Sequence, residues 1–251
     1  MVRNSICFVA ICAAFASLSQ TCFAVTNVNG GSSLRHLVYS FTYGVQGDLT
    51  VHTEMPNLDP STSGLQGLHD YNGSMQDKGT ITIDVIREQP DSGLIVTVSE
   101  DATESRKADA ATCVTYGTTN VICDPNKKIT SEELSLLQLL GRNFVDPNKL
   151  DEKGHWRLEQ SNGAVATTAD YTVSPGKNGV ISIQETKVIK ELGVTPTTTD
   201  VSATIGYDLN RAVPTSVQEY VIERESSSTA GSMKTTYQTT LTLVSDSMAR
   251  P

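Results

Sequence analysis

The sequence predicts a mainly β protein, an antiparallel meander forming a strongly curved sheet (a half-barrel) around one leucine-rich helix, with a β-sandwich as the alternative. Three observations carry this. The dominant hydrophobic period is two, in segments separated by Gly, Asn, Asp and Pro. Threonine is very common in those segments, and β-branched side chains suit a pleated, half-buried surface. A single stretch has helical period, and its leucines cover a wider arc than a surface helix shows.

In chain order, Leu37, Tyr39, Phe41 and Tyr43 alternate with Val38, Ser40 and Thr42, which reads as a first strand with an aromatic face. Gly44 and Gly47-Asp48 read as a turn, and Leu49–Glu54 as a second strand. Met55 to Gly73 is rich in Pro, Gly, Ser and Asn without period, and reads as a long loop. Lys78–Glu88 and Gly93–Glu100 form a hairpin across Gln89-Pro90-Asp91-Ser92. The charged, Ala-rich stretch from Asp101 to Ala110 reads as loop, with a helical turn as the alternative.

Further on, strands are expected at His155–Ser161, Val165–Val173, Val180–Glu191, Thr197–Tyr207, Val213–Glu225 and Ser232–Ser245. Asn162-Gly163, Lys177-Asn178-Gly179, Leu209-Asn210-Arg211 and Thr229-Ala230-Gly231 supply the turns between them. Short turns imply that each strand pairs with its sequence neighbours.

The helix is expected over Thr130–Leu140. Thr130-Ser131-Glu132-Glu133 has the form of a capping box, in which the Thr130 hydroxyl accepts from the first free amides and Glu133 reaches back. Leu134, Leu136, Leu137, Leu139 and Leu140 follow, and Gly141 stands where a left-handed cap belongs. Ser135 and Gln138 mark the narrow polar side. So wide an apolar arc requires enclosure on two or three sides, which a concave sheet supplies and a flat one does not. Two copies of Asp-Pro-Asn-Lys, Asp124–Lys127 and Asp146–Lys149, flank the helix as type I turns.

Cys113 and Cys123 bracket a β-like stretch with turn residues Gly117–Asn120 at its centre. Folded as a hairpin, it sets the two cysteines opposite each other in disulfide geometry. A redox pair favours Cys-x-x-Cys at a helix start, and zinc needs two further ligands nearby. Neither is present. The four histidines, His36, His52, His69 and His155, are scattered with no metal-ligand spacing. The acidic run at Asp146, Asn148, Asp151 and Glu152 lacks the Gly and Glu that a calcium loop places at its sixth and twelfth positions. No cofactor is expected, and no catalytic residue stands out.

Met1–Asn4 carries one charge, Arg3, and Ile6 to Leu18 is apolar or small throughout. Cys22-Phe23-Ala24 then places small residues at the two positions a signal peptidase reads. Residues 1–24 are therefore read as a leader cleaved between Ala24 and Val25, and 25–251 as one β-rich domain, exported to a periplasmic or extracellular space. Cleavage removes Arg3 and no acid, taking the net charge from −9 to −10. That balance argues against nucleic acid and anionic lipid as partners, because both need a basic surface. No stretch of the mature chain is apolar enough to form a stable membrane span.

A leader, a long antiparallel meander and an enclosed leucine helix together resemble the half-barrel proteins of the bacterial envelope, such as the periplasmic lipoprotein carriers. The resemblance is architectural and covers Leu34–Ser245. It implies a curved sheet wrapped round an apolar cavity closed by helical elements, with a lipid-like or other apolar ligand on the concave face. The chain has one clear helix where those carriers have several, and no functional residue is carried over. The alternatives are a structural or interaction protein of the envelope with no small ligand, in which Leu134, Leu136, Leu137, Leu139 and Leu140 plug the concavity, and a hydrolase whose site bears no sequence signature.

Overall fold

The structure, a computed structural model, describes residues 33–50, 71–89, 93–102, 108–116, 120–140, 151–161, 163–176, 178–193, 196–227 and 231–248. The strands are β1 (Arg35–Thr50), β2 (Tyr71–Glu88), β3 (Leu94–Ala102), β4 (Ala108–Tyr116), β5 (Asn120–Cys123), β6 (His155–Ser161), β7 (Val165–Pro175), β8 (Val180–Glu191), β9 (Thr197–Asp208), β10 (Val213–Ser227) and β11 (Gly231–Asp246). Helix α1 (Ser131–Leu139) lies between β5 and β6 and is the single helix among the described residues.

All the strands join one antiparallel sheet in the order β5-β4-β3-β2-β1-β11-β10-β9-β8-β7-β6. There is no second sheet among the described residues, so the architecture is the half-barrel and not the sandwich. The meander comes as two runs, β1 to β5 and β6 to β11, welded by pairing of the first strand with the last. Consequently β5 and β6, successive in the chain, stand at opposite edges. The link between them carries α1 over the concave face, where it touches β5, β3 and β10.

Curvature has a local cause. Val244 on β11, Thr215 on β10 and Ile86 on β2 are each an extra residue against the neighbouring strand. Such bulges bend a strand and increase its twist. Gly79 allows a close approach of β2 to β3, since a Cβ there would overlap the Asp101 carbonyl oxygen. Asn178 and Gly179 both have positive φ, as a tight hairpin turn between β7 and β8 requires.

Two expectations are corrected. Gly44 and Gly47-Asp48 make no turn: β1 runs unbroken to Thr50, with Gly44 facing Gln238 and Gln76, and Gly47 facing Thr235 and Gly73. β1 is paired on both sides, and two ladders of hydrogen bonds outweigh a local turn preference. Loop was also assigned too generously, because Tyr71 to Gly73 belong to β2, Asp101 and Ala102 to β3, and Ala108 to Ala110 to β4. The expected strand residues 51–54 and the second Asp-Pro-Asn-Lys copy lie outside the described residues, as do the leader and its Ala24–Val25 junction.

The core is the concave face. Val173, Ile183, Ile205, Val217, Leu241 and Phe41 stand side by side across β7, β8, β9, β10, β11 and β1. Leu37, Tyr39, Ile81, Ile83, Val96 and Val98 extend this floor to β3, all fully buried. The Tyr39 hydroxyl, enclosed with its ring, donates to the Pro214 carbonyl at 3.0 Å. Burial pushes that phenol far above its ordinary range.

Candidate functional site

Helix α1 over the sheet is the candidate site, and its start is set by its own residues. Thr130 has extended backbone, its hydroxyl accepts from the Glu133 amide at 3.2 Å, and the Thr130 amide donates to Glu133 Oε2 at 2.9 Å. The capping box is complete. The Leu140 amide closes the last turn on the Leu137 carbonyl at 3.4 Å, while the expected cap residue Gly141 lies outside the described residues.

Leu136, Leu137, Leu139 and Leu140 are buried against the apolar floor, and Leu134 is half-buried. The narrow polar side also faces inward: Ser135 and Gln138 line a cavity of about 130 Å³ between helix and sheet. Its other polar walls come from Gln160, Thr167, Tyr171, Glu185, Lys187 and Glu219. The expected enclosure of the helix thus extends to its polar stripe.

One row along every strand from the apolar floor, the wall changes character. Tyr171, Glu185, Ala203, Glu219, Thr239, Tyr43 and Asp77 stand in register from β7 to β2. The Tyr171 hydroxyl donates to Glu185 Oε1 at 2.9 Å, and Lys187 Nζ lies 3.1 Å from the same oxygen. Lys187 is the single basic side chain lining the cavity among the described residues. Burial raises the Glu219 carboxyl above its ordinary range; Lys187 opposes this, while Glu185 and Glu132 add to it.

The first turn of α1 brings further acid inside. Glu132 and Glu133 are both 0% exposed, and Glu100 of β3 is buried beside them. The Thr130 hydroxyl donates to Glu100 Oε2 at 2.7 Å, so one hydroxyl ties β3 to the helix cap. Glu133 Oε1 is enclosed and meets no hydrogen-bond donor. Burial pushes the Glu133 carboxyl up to about 7; the Thr130 amide pulls against this, and the neighbouring Glu100 and Glu132 reinforce it.

Sequence reasoning missed this acidic belt, although a signal was present. Glu100 shares the phase of Val96 and Val98, Glu185 that of Ile181 and Ile183, and Glu219 that of Val217 and Val221. A charge on the apolar phase of a strand is a charge turned inward.

Cys113 and Cys123 are direct partners on β4 and β5, joined by a disulfide with Cα atoms 4.0 Å apart. The bridge pins the edge strand that α1 touches. Trp156 stacks on Tyr171, rings 4.4 Å apart and nearly parallel. The histidines converge on no site: His36 Nδ1 lies 2.8 Å from Asp84 Oδ1 at the surface, His155 sits between Asp151 and Asp170, and His52 and His69 lie outside the described residues. Asp151 is engaged in its own turn, accepting from the Lys153 and His155 amides at 2.8 and 2.9 Å.

No helix among the described residues is long and apolar enough to cross a membrane. No protein-family model matches the chain, and no curated protein sequence matches it. Among solved structures, the chain is similar to one described as showing lipid–protein interactions in lipovitellin. The TM-score is 0.48 at 10% identity, over 88% of this chain and 26% of that one. The chain therefore spans about a quarter of the length of the lipovitellin chain it matches.

Proposed function

We propose that the chain is an exported protein of the cell envelope that binds an apolar, lipid-like ligand on the concave face of its sheet, in the place α1 occupies when seated. The observation that carries this is the apolar floor continuous from β7 to β3, part of which lies under α1, a helix of nine residues and the one helix among the described residues. A helix that short is marginal in water and holds its shape by burying its leucines. An acyl chain buries the same kind of surface, so ligand and helix compete for one floor. Export is supported by the leader pattern and by the Cys113–Cys123 bridge, which suits an oxidising compartment.

The cavity left under the seated helix is about 130 Å³, below the roughly 300–1,000 Å³ of ordinary ligand pockets. The ligand must therefore displace α1. That same small volume favours the second reading, a structural or interaction protein in which α1 is a permanent plug.

Titration with a fluorescent fatty acid separates the two. Binding is expected at one site, tightened several-fold by Leu137→Ala, which weakens the competing helix. Absence of binding by both proteins would leave the permanent plug. Intact mass of the exported protein tests the address, with Val25 as the expected first residue.

A further inference from the structure

We propose that α1 is a strap held down by a proton: the Glu133 carboxyl, walled in with Glu100 and Glu132, is protonated while the helix is seated, and its ionisation lifts α1 off the concave face. That the uncovered floor then takes an apolar ligand rests on the function proposed above. Release of the helix does not.

Three carboxyl groups from two elements meet at the first turn of α1, all buried, and Glu133 Oε1 is sealed in without a donor. An ionised carboxylate with an oxygen in that position is costly, whereas a carboxylic acid is tolerated. Among the described residues, the surrounding elements bring mostly acid towards the helix. β3 presents Glu100, β10 presents Glu219 and Glu223, and β8 presents Glu185 with Lys187, whose ammonium already lies against Glu185. β5 turns the Cys113–Cys123 bridge and Val121 to the core, and the last turn of α1 holds no basic residue. Among the described residues that line the cavity, Lys187 is the one ammonium, and the positive end of the helix lies beside Glu133.

The sign follows from linkage. Glu133 binds its proton more tightly in the seated state, near 7, than its ordinary value of 4.5. Seating is therefore strongest below about pH 4.5, weakens as pH rises towards 7, and levels off above. α1 is short and its leucines are its anchor, so the response is local: the helix opens while the sheet stays paired.

The test is hydrogen exchange of the Leu134–Leu140 amides in the full mature protein between pH 5 and pH 8.5, corrected for intrinsic exchange. The opening equilibrium should rise on the order of a hundredfold in the wild type. Glu133→Gln keeps both bonds of the capping box without the charge, so its exchange should be flat over this range. Unchanged protection in the wild type overturns the proposal, as does an undiminished response in Glu133→Gln. Should that variant not fold, Glu100→Gln is read instead. Removing one like charge should move the midpoint to lower pH, and an unmoved midpoint counts against the strap. Fatty-acid binding is measured in parallel at both pH values. Helix opening without any binding supports the strap and defeats the ligand alone.

Discussion

Arg35 and Asp246 stand 211 positions apart and form a two-pronged ion pair, Arg35 Nε and Nη2 donating to the two carboxylate oxygens at 3.0 and 2.7 Å. The pair locks the start of β1 to the end of β11, the seam where the two meanders meet. It is part of a larger cluster. Arg35 Nη1 donates to the Arg211 carbonyl at 2.7 Å, and Arg211 reaches both Asp208 and Asp246, at 2.7 and 3.2 Å. The Asp246 side chain is 1% exposed, so water does little to weaken these contacts.

Asp246→Ala should therefore destabilise the protein by about 1–3 kcal/mol, because it leaves the part-buried Arg35 and Arg211 without the carboxylate they share. Denaturant unfolding measures this. A loss below about 1 kcal/mol would mean that the seam is held by its backbone ladder alone.

Stability should also fall in acid, through the same cluster. Burial by itself would raise Asp208 and Asp246, but hydrogen bonds from Arg211 and Arg35 outweigh it and hold both carboxyls below the ordinary 3.8. The folded state binds these protons less tightly than the unfolded chain, so their contribution is present above about pH 4 and lost below it. Thermal melts from pH 6 to pH 2.5 should show the drop, and Asp208→Asn should reduce its size. An equal drop in that variant would place the acid sensitivity elsewhere.

Leu137 is 1% exposed under the seated helix. At pH 5, Leu137→Ala should cost about 2–5 kcal/mol, as other buried leucine truncations do. At pH 8.5 the cost should shrink, because a released helix has little packing to lose. A cost below about 1 kcal/mol at pH 5 would show that α1 is no part of the core.

Replacing Cys113 and Cys123 together by serine should cost roughly 2–3 kcal/mol, the size expected for opening a short loop. Because β5 is an edge strand against α1, protection from exchange should fall first in β5 and in the helix. Peptide mapping without reductant should find the two cysteines linked in the wild type.

Local chemistry by itself determined a good deal of this protein. The period of two placed most strands within a few residues of their ends, the Thr130–Glu133 pattern placed the helix cap, and the ten-residue spacing of Cys113 and Cys123 placed a bridged hairpin. Such features depend on neighbours a few positions away, so their causes are written in adjacent residues. The wide leucine arc also implied a concave partner, because a flat sheet leaves half of such a helix in water. Tertiary structure alone decided the rest. Gly44 and Gly47 lie in a continuous strand because β2 and β11 pair with it on both sides. The link that carries α1 joins opposite edges of the sheet because β1 pairs with β11, a choice between strands some 200 residues apart that no local pattern records. Glu100 meets Glu133 at the helix cap, and Glu185 and Glu219 wall the cavity beside α1, for the same reason. Each is an ordinary charged residue in its own segment, and only the folding of distant strands around α1 removes the water that would otherwise solvate it.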